Sequence, residues 1–252
     1  MRAEAPAASL PSIPSENRLV TIDASKKGRP LRHTWRRVLN FGYAKEGLLA
    51  EVQTQIRKAQ KEIGFEFVHF HGILDDDMHV YFENEKGQPY LDFSRIDLLL
   101  DSLLSIGLKP YIEFSYMPRL LARKPTETFD RSVNISAFRS KENWSALIRG
   151  FLQHCLIRYG RAKVRGWRFT TIDINSVIAG FLSMEEYLTL YRTTWQCVKE
   201  ADPAFLFGGP GGFIFNVTSG NTIRLFLSYA KEHACLPDFI FRGVRELGAR
   251  RF

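Results

Sequence analysis

The sequence predicts an α/β protein of the (β/α)8 TIM-barrel type, truncated after about six strands. Two observations lead there. Short runs rich in β-branched and aromatic residues alternate with stretches whose apolar residues recur every three to four positions. Such alternation implies parallel strands joined by helices that pack outside the sheet. No G-x-G-x-x-G follows the first run, which weighs against an open dinucleotide-binding sheet.

With 252 residues, 45% of them hydrophobic, the chain can bury a substantial core, and 25% charged residues is ordinary for a globular protein. The formal charge of +8 is dispersed. Short basic clusters at Lys26-Lys27, Arg36-Arg37 and Arg250-Arg251 form no stripe with interleaved aromatics, which weighs against a nucleic-acid surface. Cys155, Cys197 and Cys235 each stand alone without metal-ligand spacing and are expected as buried thiols in a reducing compartment. No apolar run approaches the roughly 20 residues of a membrane span, and residues 1–18 lack the apolar region of a secretory signal. A cytoplasmic protein is expected, with residues 1–30 as a flexible leader or linker, 31–242 as the partial barrel and 243–252 as an out-of-pattern tail.

In order along the chain, residues 19–24 are expected to be extended and 25–30 a polar break. Residues 35–41 read as the first strand. Leu48, Val52, Ile56, Ala59 and Ile63 keep helical spacing up to Gly64. Residues 65–70 (FEFVHF) alternate as a second strand that runs into His71. Asp75, Asp76 and Asp77 follow in a loop, and 84–88 form a turn. Phe93, Ile96, Leu99, Leu100, Leu103 and Ile106 mark a second helix, 109–114 a third strand and 118–140 a long loop. Trp144, Leu147, Ile148, Phe151 and Leu152 line a third helix. The fourth strand lies within residues 164–175 (VRGWRFTTIDIN), and its end carries Asp173 and Asn175. It organises the rest, because such barrels place their chemistry at strand ends. A fourth helix shows Tyr187, Tyr191, Trp195 and Val198 on one face. Residues 205–209 form a fifth strand closed by a GGPGG turn, Ile223, Phe226, Leu227 and Ala230 mark a fifth helix, and 238–242 begin a sixth strand.

The blocks HTWRRVLNFGYA (33–44), IGFEFVHFHGILDDDM (63–78), IGLKPYIEFSYMP (106–118), RYG (158–160), W-R-F (167–169) and GGPGG (208–212) occur in an order and spacing that resemble glycoside hydrolase family 39. That is the β-xylosidase and α-iduronidase family, and the likeness is closer to the family-39-like domains of AraC-type transcriptional regulators. The resemblance implies a barrel using two glutamates, an acid/base at the end of the fourth strand and a nucleophile at the end of the seventh. A retaining glycosidase needs its two carboxyls about 5 Å apart with their pKa values split by environment. Where the family usually has W-N-E-P-N, this chain reads Ile172-Asp173-Ile174-Asn175-Ser176. Asp173 takes the place of the asparagine and Ile174 that of the acid/base glutamate; an alkyl group moves no proton. The nucleophile's strand is expected beyond Phe252.

The resemblance makes His71 a hydrogen-bonding partner for a sugar hydroxyl; the plain alternative is a polar residue satisfied within the barrel mouth. His69, on the same strand face, reads as structural. Glu113 is either a substrate contact or the partner of a buried arginine. Asp173 is a sugar contact, a stand-in acid or a structural loop carboxylate. Trp167 is the one tryptophan placed near the pocket; Trp35, Trp144 and Trp195 read as core. Asp75 to Asp77 lack metal-loop spacing, the glycine-rich turn lacks the Lys and Ser/Thr of a P-loop, and Glu185 and Glu186 suit a helix start. No catalytic residue, metal or cofactor is assigned.

Two functions follow. One is a carbohydrate-recognising domain for β-xylosides or related oligosaccharides, catalytically impaired and sensing sugar for a regulator whose DNA-binding part lies outside this sequence. The other is an active β-xylosidase-type glycosidase acting with retention. Unpaired first and sixth strand edges also predict self-association.

Overall fold

The structure, a computed structural model, describes residues 23, 25–28, 30–125, 133–211 and 218–240. Contacts group the chain into two units, Met1–His33 and Thr34–Phe252. In the first, Ser25 donates its N–H and Oγ–H to the Asp23 carboxylate.

The second is built on a four-stranded parallel sheet in the order β1 (Val38–Tyr43), β2 (Phe67–His71), β5 (Lys109–Phe114) and β6 (Arg168–Thr171). Between β2 and β5 runs an antiparallel hairpin, β3 (Tyr81–Glu83) and β4 (Pro89–Leu91), with the expected turn over 84–88 at its tip. The helices are α1 (Ala50–Ile63), α2 (Ser94–Ser105), α3 (Lys141–Tyr159), α4 (Arg161–Val164), α5 (Asn175–Ile178), α6 (Met184–Ala201) and α7 (Thr218–Glu232). Among the described residues none is long and apolar enough to cross a membrane.

Strand register explains the core. Val68, Phe70, Ile112, Phe114 and Phe169 share the face that meets the helices, where Phe114 stands edge-on to Phe151 of α3 and stacks on Phe169. The opposite face pairs His69 with Tyr111, Tyr111 with Arg168, and Glu113 with Thr170. Residues alternate between faces with period two, so one strand supplies both a hydrophobic layer and a polar interior. On the helices, Ile96, Leu99, Leu100 and Leu103 of α2 and Trp144, Leu147, Ile148, Phe151, Leu152 and Cys155 of α3 are buried. All three cysteines are free and buried.

Local signals hold at the helix ends. Gly64 closes α1 at φ 76°, a conformation open to glycine. Ser183 and Glu186 form a reciprocal capping box on α6, as acidic residues at a helix start suggest. Asp75, nearly fully buried, accepts the Asp77 N–H and caps a short 3-10 turn, so of the two readings open to this acidic run, solvated loop or helix start, the second holds.

Several expectations are corrected. The first strand starts at Val38, because Thr34–Arg36 is a 3-10 turn, and Trp35 is 51% exposed rather than core. The hairpin was expected only as a turn, its three-residue strands being too short for a visible alternation. The strands expected at 205–209 and from 238 appear as single parallel bridges, Phe207 to Phe169 and Gly208 to Phe239, and residues 241–242 lie outside the described residues. The extended piece at 19–22 and the tail at 243–252 lie outside the described residues.

Candidate functional site

The carboxyl ends of the parallel strands converge on a cavity of about 300 Å³ lined by Tyr43, His71, Glu113, Tyr116, Ile135, Ile172, Asp173, Asn175, Ser176, Ala179 and Phe181. Tyr43 arrives through a bulge: the β1–β2 register shifts between Asn40 and Tyr43, and Gly42 has φ 104°. The extra residue re-aims the strand end, and Glu46 accepts the Tyr43 N–H at 3.1 Å. The Tyr43 and Tyr116 rings lie 6.0 Å apart.

Glu113 is the centre of the polar interior. It is 4% exposed and takes three hydrogen bonds, from His69 Nε2 (3.2 Å), His71 Nδ1 (3.1 Å) and Ser115 Oγ (2.7 Å). Ser115 in turn accepts the Gly72 N–H at 3.0 Å. The His69 tautomer follows from its neighbours. Gly42 N–H donates to Asn40 Oδ1 at 2.9 Å, so the Asn40 amide nitrogen faces His69 Nδ1, also at 2.9 Å. An amide nitrogen only donates, so Nδ1 accepts and the ring proton sits on Nε2, directed at Glu113.

Burial alone would raise the Glu113 carboxyl, but the His71 charge and the hydrogen bonds from both histidines hold it well below the usual range. Burial works against the His71 imidazolium; the Glu113 charge and hydrogen bond outweigh it and raise the imidazole above its ordinary value. Asp173 is the reverse case. Burial first, then the Glu113 charge, push it up to about 6, against the pull of Asn175 and His71. Asn175 grips it, donating its backbone N–H to Oδ1 at 2.8 Å and its amide to Oδ2 at 3.2 Å.

His69, His71 and Glu113 bring their ligand atoms within 4.8 Å of one another, close enough for a metal ion. The donor set does not fit one. Metal binding needs the imidazole lone pair, and the Asn40 contact leaves His69 Nε2 carrying its proton. The 3.1 and 3.2 Å separations are those of hydrogen bonds.

Of the residues singled out from the sequence, the fold brings His71, Glu113 and Asp173 into one cavity. It does not bring Trp167 there: that ring is 1% exposed and packs against Tyr159 and Phe169. Glu113 pairs with two histidines rather than with an arginine, because β5 lies between β2 and β6 and the histidines of β2 share its face of the sheet. Ile174 is not among the lining residues. Its side chain joins the core at 4% exposure and its N–H donates to Gly211 O, while Asp173 and Asn175 on either side face the cavity. The sequence singled out none of Tyr43, Tyr116, Ser115 and Asn40, and named Asn175 only by its place at the strand end. Tyr43 and Tyr116 lay inside the matching blocks, but aromatic residues there read equally as core.

Two carboxyls, an imidazole and aromatic rings thus stand together at the carboxyl ends of parallel strands, the end at which (β/α) barrels place their sites. The family model described as "Glycosyl hydrolases family 39" matches residues 18–245. The chain belongs to that family. It is 35% identical over 193 residues to a β-xylosidase of Caldicellulosiruptor saccharolyticus, covering 76% of this chain and 40% of that protein. It is 30% identical over 230 residues to a β-xylosidase of Geobacillus stearothermophilus, covering 88% and 44%. The crystal structure of a monomeric β-xylosidase from Caulobacter crescentus CB15 superposes with TM-score 0.75 at 27% identity, covering 82% of this chain and 41% of that one. The chain thus spans less than half the length of these relatives.

Proposed function

We propose that the cavity binds carbohydrate of the β-xyloside kind and that this stretch of chain does not provide the acid/base proton of the family's reaction. The observation that carries the reading is the wiring of Glu113, the one glutamate that lines the cavity, whose carboxylate is engaged by His69, His71 and Ser115. At the position the resemblance gives to the acid/base glutamate stands Ile174, an alkyl side chain that moves no proton; its packing in the core instead of the cavity wall weighs for the competing reading. Glu113 does not substitute as a proton donor. Its three donors favour the ionised form, and a carboxylate held that low gives up no proton at neutral pH. The pair still suits a sugar: Glu113 orients His71 through Nδ1, leaving Nε2 for a hydroxyl, and Tyr43, Tyr116 and Phe181 offer apolar surface to a ring.

In the same reading the chain is the sugar-sensing part of an AraC-type regulator, with DNA contacted by another domain. Active glycosidase chemistry is the competing reading, favoured by the Asp173 carboxyl near 6 in the same cavity. Incubation with an aryl β-xyloside, alongside calorimetric titration with xylo-oligosaccharides, separates the two. Binding without turnover is expected; turnover that disappears in Asp173→Asn overturns the reading in favour of the enzyme.

A further inference from the structure

We propose that Asp173 meets the ligand in its acid form, donating its O–H to an oxygen of a neutral sugar, so that binding takes up a proton. This rests on the sugar-binding reading and goes beyond it by assigning a proton to one side chain and a pH dependence to the site.

The two carboxyls of the cavity have unequal support. Glu113 on β5 holds both histidines of β2 and the Ser115 hydroxyl. Among the described residues, Asp173 has the two N–H donors of Asn175 and no cation at hydrogen-bonding distance. The groups that face it are Glu113 from β5, His71 from β2, Asn175 from α5 and Tyr187 from α6, with Tyr43 and Tyr116 sharing the cavity wall. Among these, Glu113 repels a negative charge and His71 is already engaged by Glu113. The Asn175 amide oxygen is buried with no donor to it, so the pair is also one hydrogen short. A sugar entering the cavity strips water from Asp173 and adds no positive charge. Both effects favour the neutral carboxyl, which can then give a hydrogen bond where a carboxylate can only accept one. Ligand and proton therefore bind together, and a ligand oxygen with a free lone pair is what this wall selects.

The carboxyl already lies near 6 without ligand, so about nine-tenths of it is acid at pH 5 and about one-tenth at pH 7. Titration with xylotriose by calorimetry at pH 5, 6 and 7 is expected to show affinity falling roughly tenfold from pH 5 to pH 7. Asp173→Asn carries a permanent N–H donor. It is expected to bind at pH 7 about as tightly as the unaltered protein does at pH 5, with only the shallower dependence that His71 contributes. At pH 7 the unaltered protein should also take up close to one proton per sugar, read from binding heats in two buffers of different ionisation enthalpy. That measurement stands even if the variant does not fold. Affinity independent of pH, proton uptake near zero, or a full tenfold loss retained in Asp173→Asn each overturns the assignment while leaving sugar binding intact. No binding at any pH overturns both.

Discussion

Glu113→Gln is the substitution that tests the polar interior most directly. The amide has the shape of the carboxylate but lacks the charge, and one of its ends donates. Whichever way it turns, an N–H meets a donor: His69 Nε2–H on one side, His71 Nδ1–H and the Ser115 hydroxyl on the other. Breaking a buried ion pair by removing one partner costs about 3 kcal/mol or somewhat more. For a domain of this size that lowers the melting temperature by roughly 6 to 12 °C. The pH dependence carries a sign. Glu113 has a lowered folded pKa, so its contribution is present above the ordinary carboxyl value of 4.5 and fades as pH falls below it. His71 has a raised folded pKa, so its contribution is present below the ordinary imidazole value of 6.5 and fades as pH rises through the folded value. The stability gap between the two proteins, from urea unfolding, should be widest between those values and narrow on either side. In the variant the His71 Hε1 proton, followed by NMR, should titrate lower than in the unaltered protein, because burial then acts without its counter-charge. A gap that is flat from pH 4 to pH 9, or an unmoved His71 midpoint, refutes the network.

Ile174→Glu installs the residue type that the family resemblance implies at this position, yet it should not restore catalysis. The side chain points into the core, where an unpaired carboxyl costs several kcal/mol; a lowered urea midpoint with no aryl β-xyloside turnover is expected, and turnover would refute the placement. Gly47→Ala should destabilise by about 1 to 3 kcal/mol, since a methyl there meets Leu99 Cδ1 at 2.5 Å and the Phe41 ring at 2.8 Å; an unchanged urea midpoint would contradict that packing.

The parts of the fold legible in the sequence are those where one period dominates. Residues 109–114 match β5 residue for residue, and the spacing of Ile96, Leu99, Leu100 and Leu103 marks α2 within a residue or so at each end. The first strand slipped by three residues because Trp35 and Arg36 fit a β pattern locally but are exposed in a 3-10 turn. The site was legible as single residues at strand ends. Its wiring was not, because it depends on register: only the pairing of β2 beside β5 puts two histidines rather than an arginine on Glu113. Trp167 was misjudged for a similar reason. It precedes the strand that carries the site, but its position at the amino end of β6 buries it against Tyr159, away from the mouth.

The same register bears on function. A buried carboxylate is tolerated only where donors replace its lost water, and here one of those donors, His71, also lines the cavity. Stability and recognition therefore draw on one set of hydrogen bonds. His71 is pushed toward its charged form by the residue that keeps the interior folded, and Asp173 toward its acid form by that same residue's charge. A glycosidase splits two carboxyls so that one attacks and one protonates. In this chain a comparable split falls on Glu113 and Asp173, with the ionised member locked behind two histidines and the titrating member gripped by Asn175. Three donors on about four lone-pair sites leave Glu113 a single free lone pair, on the oxygen that His69 holds, so any bond it formed to a sugar carbon would spend the charge that His69, His71 and Ser115 stabilise.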